Sequence, residues 1–74
     1  MIPQTTAGES VGARVRGRLA EAGITQRTAA VELGLSQPAL HRRLSGAIPF
    51  DVAELAALGE LLGVPAAHLM ADPK

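Results

Sequence analysis

Apolar residues recur along this chain at helical spacing. Val11, Val15 and Leu19 fall four positions apart and mark one stripe of a helix over residues 10–22, which Gly23 ends. Arg14, Arg16 and Arg18 spread over the rest of its circumference. A second helix opens at Thr25, a good N-cap, with Ala29, Ala30 and Leu33 as a thin apolar face. Its small alanines allow another helix to approach closely, and Gly34 can take positive φ where it stops. A third helix opens at the capping residue Ser36. Leu40 and Leu44 point inward one turn apart, Leu35 and Leu40 form a hydrophobic staple, and Gly46 is the stop. Pro38 falls in the first turn, where its missing N–H costs little.

The fourth helix has the clearest start. Asp51 is the N-cap, Glu54 the third helical residue, and Phe50 with Leu55 the staple. Val52, Leu55, Leu58, Gly59 and Leu62 read as its buried stripe. Glycine in mid-helix costs about 1 kcal/mol against alanine, so Gly59 predicts a close helix crossing. Gly63 ends this helix and Pro65 starts a short fifth one through about Met70. No stretch reads as a strand and no repeat is visible. The pattern predicts an all-α fold: a compact five-helix bundle over residues 9–74, behind a flexible arm of residues 1–8 that holds Pro3 and Gly8.

Composition narrows what such a bundle does. At 74 residues and 47% hydrophobic, the chain can build one small core of modest stability. It has no Cys, so neither a disulfide framework nor a thiolate metal site is expected. His41 and His68 are not at a ligand spacing, so no metal site is expected. Neither a cofactor nor a small-molecule ligand is indicated. No catalytic residues are assigned, because no triad spacing, paired carboxylates or phosphate loop occurs. The chain has no long apolar run, and its start lacks a basic region followed by an apolar one. A cytoplasmic protein without a membrane partner is the expectation. The one aromatic residue, Phe50, argues against a stacking platform for single strands.

The net charge of zero hides a sorting. Residues 11–46 hold six Arg against Glu21 and Glu32, a surplus of four. Residues 47–74 hold Lys74 against Asp51, Glu54, Glu60 and Asp72, a deficit of three. A basic half beside an acidic half points to an anionic partner for the first, with the acidic helices on the far side.

The stretch "GLSQPALHRRLSG", residues 34–46, concentrates that capacity. Only a glycine, a leucine and a cap separate the second and third helices, which forces a sharp bend and makes a helix-turn-helix. With Leu40 and Leu44 inward, a step of about 100° per residue puts Pro38 and Arg42 on the opposite side. Gln37 and His41 fall on one flank and Arg43 on the other.

The segments "TQRTAAVELGLSQPALHRRLSG" and "PFDVAELAALGELLGVPAAHL" together resemble the phage Cro/C1 repressor family, the Xre-like helix-turn-helix domains. The resemblance spans roughly residues 11–70. It rests on an ordered set: Thr25-Gln26, Ala29-Ala30, Gly34-Leu35-Ser36, Leu40, Gly46, Pro49, Leu55, Leu58, Leu62, Val64 and Leu69. It implies that the third helix lies in the major groove of double-stranded operator DNA, with Gln37, Pro38, His41 and Arg42 facing the bases. Arg42 suits a bidentate contact to guanine O6 and N7, Gln37 an adenine or a phosphate, and Pro38 a thymine methyl. His41 suits a base or a phosphate. Gln26 matches the family's phosphate-binding residue, and Arg27, Arg43 and Ser45 are the next phosphate candidates. The bland alternatives are that Gln26 only caps its own helix and that Arg43 pairs with Glu32.

The expected function is therefore sequence-specific DNA binding by a transcriptional regulator, a Cro-like or immunity repressor of a phage or prophage. An antitoxin-type autoregulator and a helix-turn-helix used for protein–protein interaction are the alternatives. One recognition helix reads only about four base pairs, so relatives pair two domains on half-sites ~34 Å apart. Leu61, Ala67, Met70 and Ala71 are the candidate contacts of a weak homodimer that DNA promotes.

Overall fold

A computed structural model of the chain describes residues 7–70, with side chains from Val11 onward. Its helices are α1 (Ala7–Ala22), α2 (Gln26–Leu33), α3 (Gln37–Leu44), α4 (Val52–Leu62) and α5 (Ala66–Met70). No strand occurs among the described residues. The first helix starts at Ala7, three residues before the expected Ser10, and so takes in the end of the stretch expected as an arm. Residues 1–6 of that stretch lie outside the described residues, as does Ala71.

The helices α2, α3 and α4 each start where a short polar side chain can satisfy unpaired amides. The Thr28 amide donates to Thr25 Oγ1 at 3.1 Å and the Ala39 amide to Ser36 Oγ at 3.1 Å. At α4 the capping box closes in both directions. The Glu54 amide donates to Asp51 Oδ1 at 2.7 Å, and the Asp51 amide donates to Glu54 Oε1 at 3.0 Å.

The core joins Val15 and Leu19 of α1, Ala29 and Ala30 of α2, Leu40 and Leu44 of α3, Leu55 and Leu58 of α4 and Leu69 of α5. Burying a leucine side chain contributes about 1.5–3 kcal/mol, so these few residues carry most of the apolar stabilisation. The helix α1 packs on α3 and α5, while α2 packs on α4. The alanines of α2 do let another helix approach, and that helix is α4.

Three expectations about packing change. Val52 is 77% exposed, so the buried stripe of α4 begins at Leu55. Its first turn is held by the capping box and overhangs the core. Leu61, expected outside the core, is half-buried and packs against it. Gly59 is indeed a point of close approach, and the approaching main-chain atoms belong to the turn that follows and to the first residue of α5. A Cβ there would lie 2.6 Å from the Val64 carbonyl oxygen and 3.2 Å from the Ala66 amide nitrogen.

A second close approach went unforeseen. A methyl at Gly12 of α1 would overlap the carbonyl oxygens of Leu44 and Arg43 at the end of α3. Arg16, one turn on, donates from Nη2 to the Leu44 oxygen at 2.9 Å. A cation at the C-terminal end of a helix satisfies a carbonyl and complements the dipole. Arg14 similarly donates from Nη1 to the Leu69 oxygen of α5, at 3.3 Å.

Candidate nucleic-acid interface

The turn between α2 and α3 is Gly34, Leu35 and Ser36. Gly34 adopts φ 71°, ψ 28°, and the Leu35 amide donates to the Ala30 oxygen at 2.9 Å. Leu35 then tucks half-buried against the core and Ser36 caps the next helix. The bend sets α3 across the domain with Leu40 and Leu44 inward, 1% and 2% exposed. Gln37, Pro38, His41 and Arg42 are all exposed on its outer side. The helical-wheel expectation for this face holds at every one of these positions.

Gln37 and Pro38 occupy the first turn of α3, and Gln26 the first turn of α2. The two helix starts meet, so that Gln26, Gln37, Pro38, Leu40 and His41 line one open cleft of about 290 Å³. Residues from two helices thus share one surface. No hydrogen bond or ion pair within the described residues occupies the side chains of Gln26, Arg27, Gln37, His41 or Arg42. Their donors and acceptors face outward. Among the described residues no group of three or more His, Asp or Glu could hold a metal ion. No described helix is long and apolar enough to cross a membrane.

Two of the expected phosphate contacts are placed differently. Ser45 is exposed, but its hydroxyl donates to the Arg42 carbonyl at 3.0 Å, an oxygen that also accepts from the Ile48 amide at 3.2 Å. Arg43 is drawn inward. Its Nε donates to Glu54 Oε1 at 3.0 Å and its Nη1 to the Ala39 carbonyl at 2.9 Å, with the side chain only 18% exposed. Its partner is Glu54 of α4, not Glu32. The acidic half therefore does not lie wholly on the far side: Glu54 abuts α3. Of the proposed dimer residues, Ala67 and Met70 are exposed, Met70 by 51%. Val31, 72% exposed on α2, is an apolar surface residue that sequence reasoning did not single out. It falls outside the periodic stripe, which was the only signal for it.

The BetR domain model matches residues 6–74 of this chain. Among curated proteins, no sequence matches it. The structure is similar to that of the clp gene regulator ClgR from C. glutamicum, with a TM-score of 0.81 and 26% identity, over 89% of this chain and 86% of that one. It is also similar to the hypothetical transcription factor NHTF from Neisseria, with a TM-score of 0.80 and 17% identity, over 99% of this chain and 90% of that one. At the second identity the likeness concerns the fold alone.

Proposed function

The chain belongs to the BetR domain family, and from this and the outer face of α3 we propose that it is a sequence-specific double-stranded DNA-binding transcriptional regulator of the bacterial cytoplasm. One observation carries the reading: Gln37, Pro38, His41 and Arg42 project from one helix with their polar groups uncommitted, beside Gln26 at the start of α2. Side chains with no partner in the domain are free to take one from outside it. The similar fold of ClgR, described as a gene regulator, supports the same reading.

In this reading α3 enters the major groove. Arg42 forks onto a guanine, Gln37 reads an adenine or a phosphate, Pro38 meets a thymine methyl and His41 contacts a base or phosphate. Gln26 and Arg27, at the exposed amides that open α2, hold the backbone. Ser45 reaches a phosphate only by releasing the Arg42 carbonyl. The finer reading is a repressor of the Cro/C1 kind, acting as a weak dimer on a near-palindrome with Ala67 and Met70 at the contact. An antitoxin-type autoregulator uses the same surface.

Selection against random duplex DNA tests this directly. A defined motif should emerge, and Arg42→Ala should cost about 1–3 kcal/mol of affinity and relax preference at one base pair. Failure to enrich any duplex, with an unchanged fold, rejects the reading in favour of a protein-interaction module.

A further inference from the structure

The polar contacts at the inner edge of α3 form a connected set. Glu54 Oε1 accepts from Arg43 Nε at 3.0 Å and from the Asp51 amide at 3.0 Å. Arg43 Nη1 reaches the Ala39 carbonyl one turn back in its own helix. The carboxylate that closes the α4 capping box is thus also the anchor of α3. Side-chain exposures of 18% and 12% for Arg43 and Glu54 remove the pair from most solvent screening.

Such an anchor has a specific effect on a helix this short. The helix α3 has eight residues, well below the ~12–15 at which isolated helices persist, so its placement comes from what it touches. Leu40 and Leu44 hold it to the core and Arg16 holds its last carbonyl. Apolar contacts are non-directional and resist rotation about the helix axis poorly. The Nη1 bond to Ala39 holds the guanidinium rigidly against its own helix, and the directional, charge-assisted Nε bond to Glu54 ties that fixed group to α4, which resists rotation of α3. A rotation of about 20° would swing a long side-chain tip by about 2 Å, more than a bidentate base contact tolerates.

Resting on the DNA-binding reading above, we infer that Arg43 is a positioning residue. Through Glu54 it fixes the rotation of α3, and hence where Arg42 and His41 point, and it contacts no phosphate. The two roles predict different things. A phosphate contact contributes to binding of every sequence and to the salt slope. A rotational pin contributes to operator over scrambled DNA and leaves the slope alone. Loss of global stability, by contrast, lowers binding of both duplexes together.

The test compares wild type, Glu54→Gln and the double variant Arg43→Met/Glu54→Gln, each confirmed folded by circular dichroism. The double variant keeps the net charge, and the glutamine side chain retains an oxygen for the Asp51 amide. Dissociation constants are measured against the selected operator and a scrambled duplex across a salt series. In the double variant, operator affinity should fall by about tenfold, the order of one misread base pair, while scrambled affinity and salt slope stay at wild-type values. Glu54→Gln, whose uncharged oxygen still accepts a weaker bond from the Arg43 cation, should lower the operator-to-scrambled ratio by about threefold. A slope flatter by about 0.9 in the double variant, with scrambled affinity down in step, makes Arg43 a phosphate contact and overturns the inference. Higher operator affinity in Glu54→Gln with an unchanged ratio overturns it too, since Glu54 then only masks a cation. If wild type enriches no duplex, the DNA-binding reading itself has failed and this role fails with it.

Discussion

The turns that follow α2 and α4 are built alike and lead to different ends. Gly34 and Gly63 have φ of 71° and 74°. Each is followed by an apolar residue, Leu35 or Val64, whose amide donates back at 2.9 Å to the oxygen of the residue four before the glycine. In the first turn that residue is Ala30, and in the second it is Gly59. From there the paths diverge. After Gly34, α3 leaves α2 and packs chiefly on α1, exposing four polar or proline positions. After Gly63, the five-residue α5 folds back on α4 so closely that Gly59 has no room for a side chain. Turn chemistry sets the bend. What docks afterwards is set by the residue the turn closes over.

The contrast is open to direct attack. The largest expected effect is Gly59→Ala. Its methyl meets main-chain atoms that cannot rotate away, so it should cost about 3 kcal/mol or more and leave this small domain largely unfolded in a thermal melt. Near-wild-type stability would mean that the second turn is not the tighter one. Next come Gly34→Ala and Gly63→Ala. Nothing lies within 4 Å of either added Cβ, so each should lose only the left-handed penalty of about 1–2 kcal/mol. Denaturant midpoints that differ widely between the two would break the equivalence of the turns.

Ser36→Ala sharpens the comparison on the α3 side. Losing the cap to the Ala39 amide should cost about 1 kcal/mol of stability, read as a lower denaturant midpoint. Val52→Ser should do least, within about 0.5 kcal/mol, because that side chain overhangs the core. A clear destabilisation there, read by urea titration, would show that the first turn of α4 depends on packing rather than on its capping box.

These sites also show what the residues disclose in advance. Caps, glycine stops and the inward pair Leu40 and Leu44 are legible because each is a local relation, a residue type at a fixed offset in one helix. The outer face of α3 follows from the same arithmetic. Val52 misleads because periodicity continues to a helix's first residue whether or not a neighbour covers it. The partner of Arg43 is hidden because Glu54 lies eleven positions away across an irregular connection, beyond any helical spacing rule. Gly12 carries no legible signal, since the atoms it admits are main-chain oxygens of a helix distant in sequence. The cleft joining Gln26 to Gln37 and His41 is partly legible, because the short turn already brings two helix starts together.

That contact at Gly12 bears on how binding preference can diverge. The first helix grips the end of α3 through the Leu44 and Arg43 carbonyls, with a glycine for clearance and Arg16 as donor. Every amino acid supplies the same carbonyl. The grip is therefore indifferent to which side chains stand at Gln37, Pro38, His41 and Arg42. If the proposed DNA-binding role holds, descendants of this chain can exchange these side chains while the scaffold stays put, and an engineer can graft a foreign outer face onto α3 without redesigning the helix that holds it.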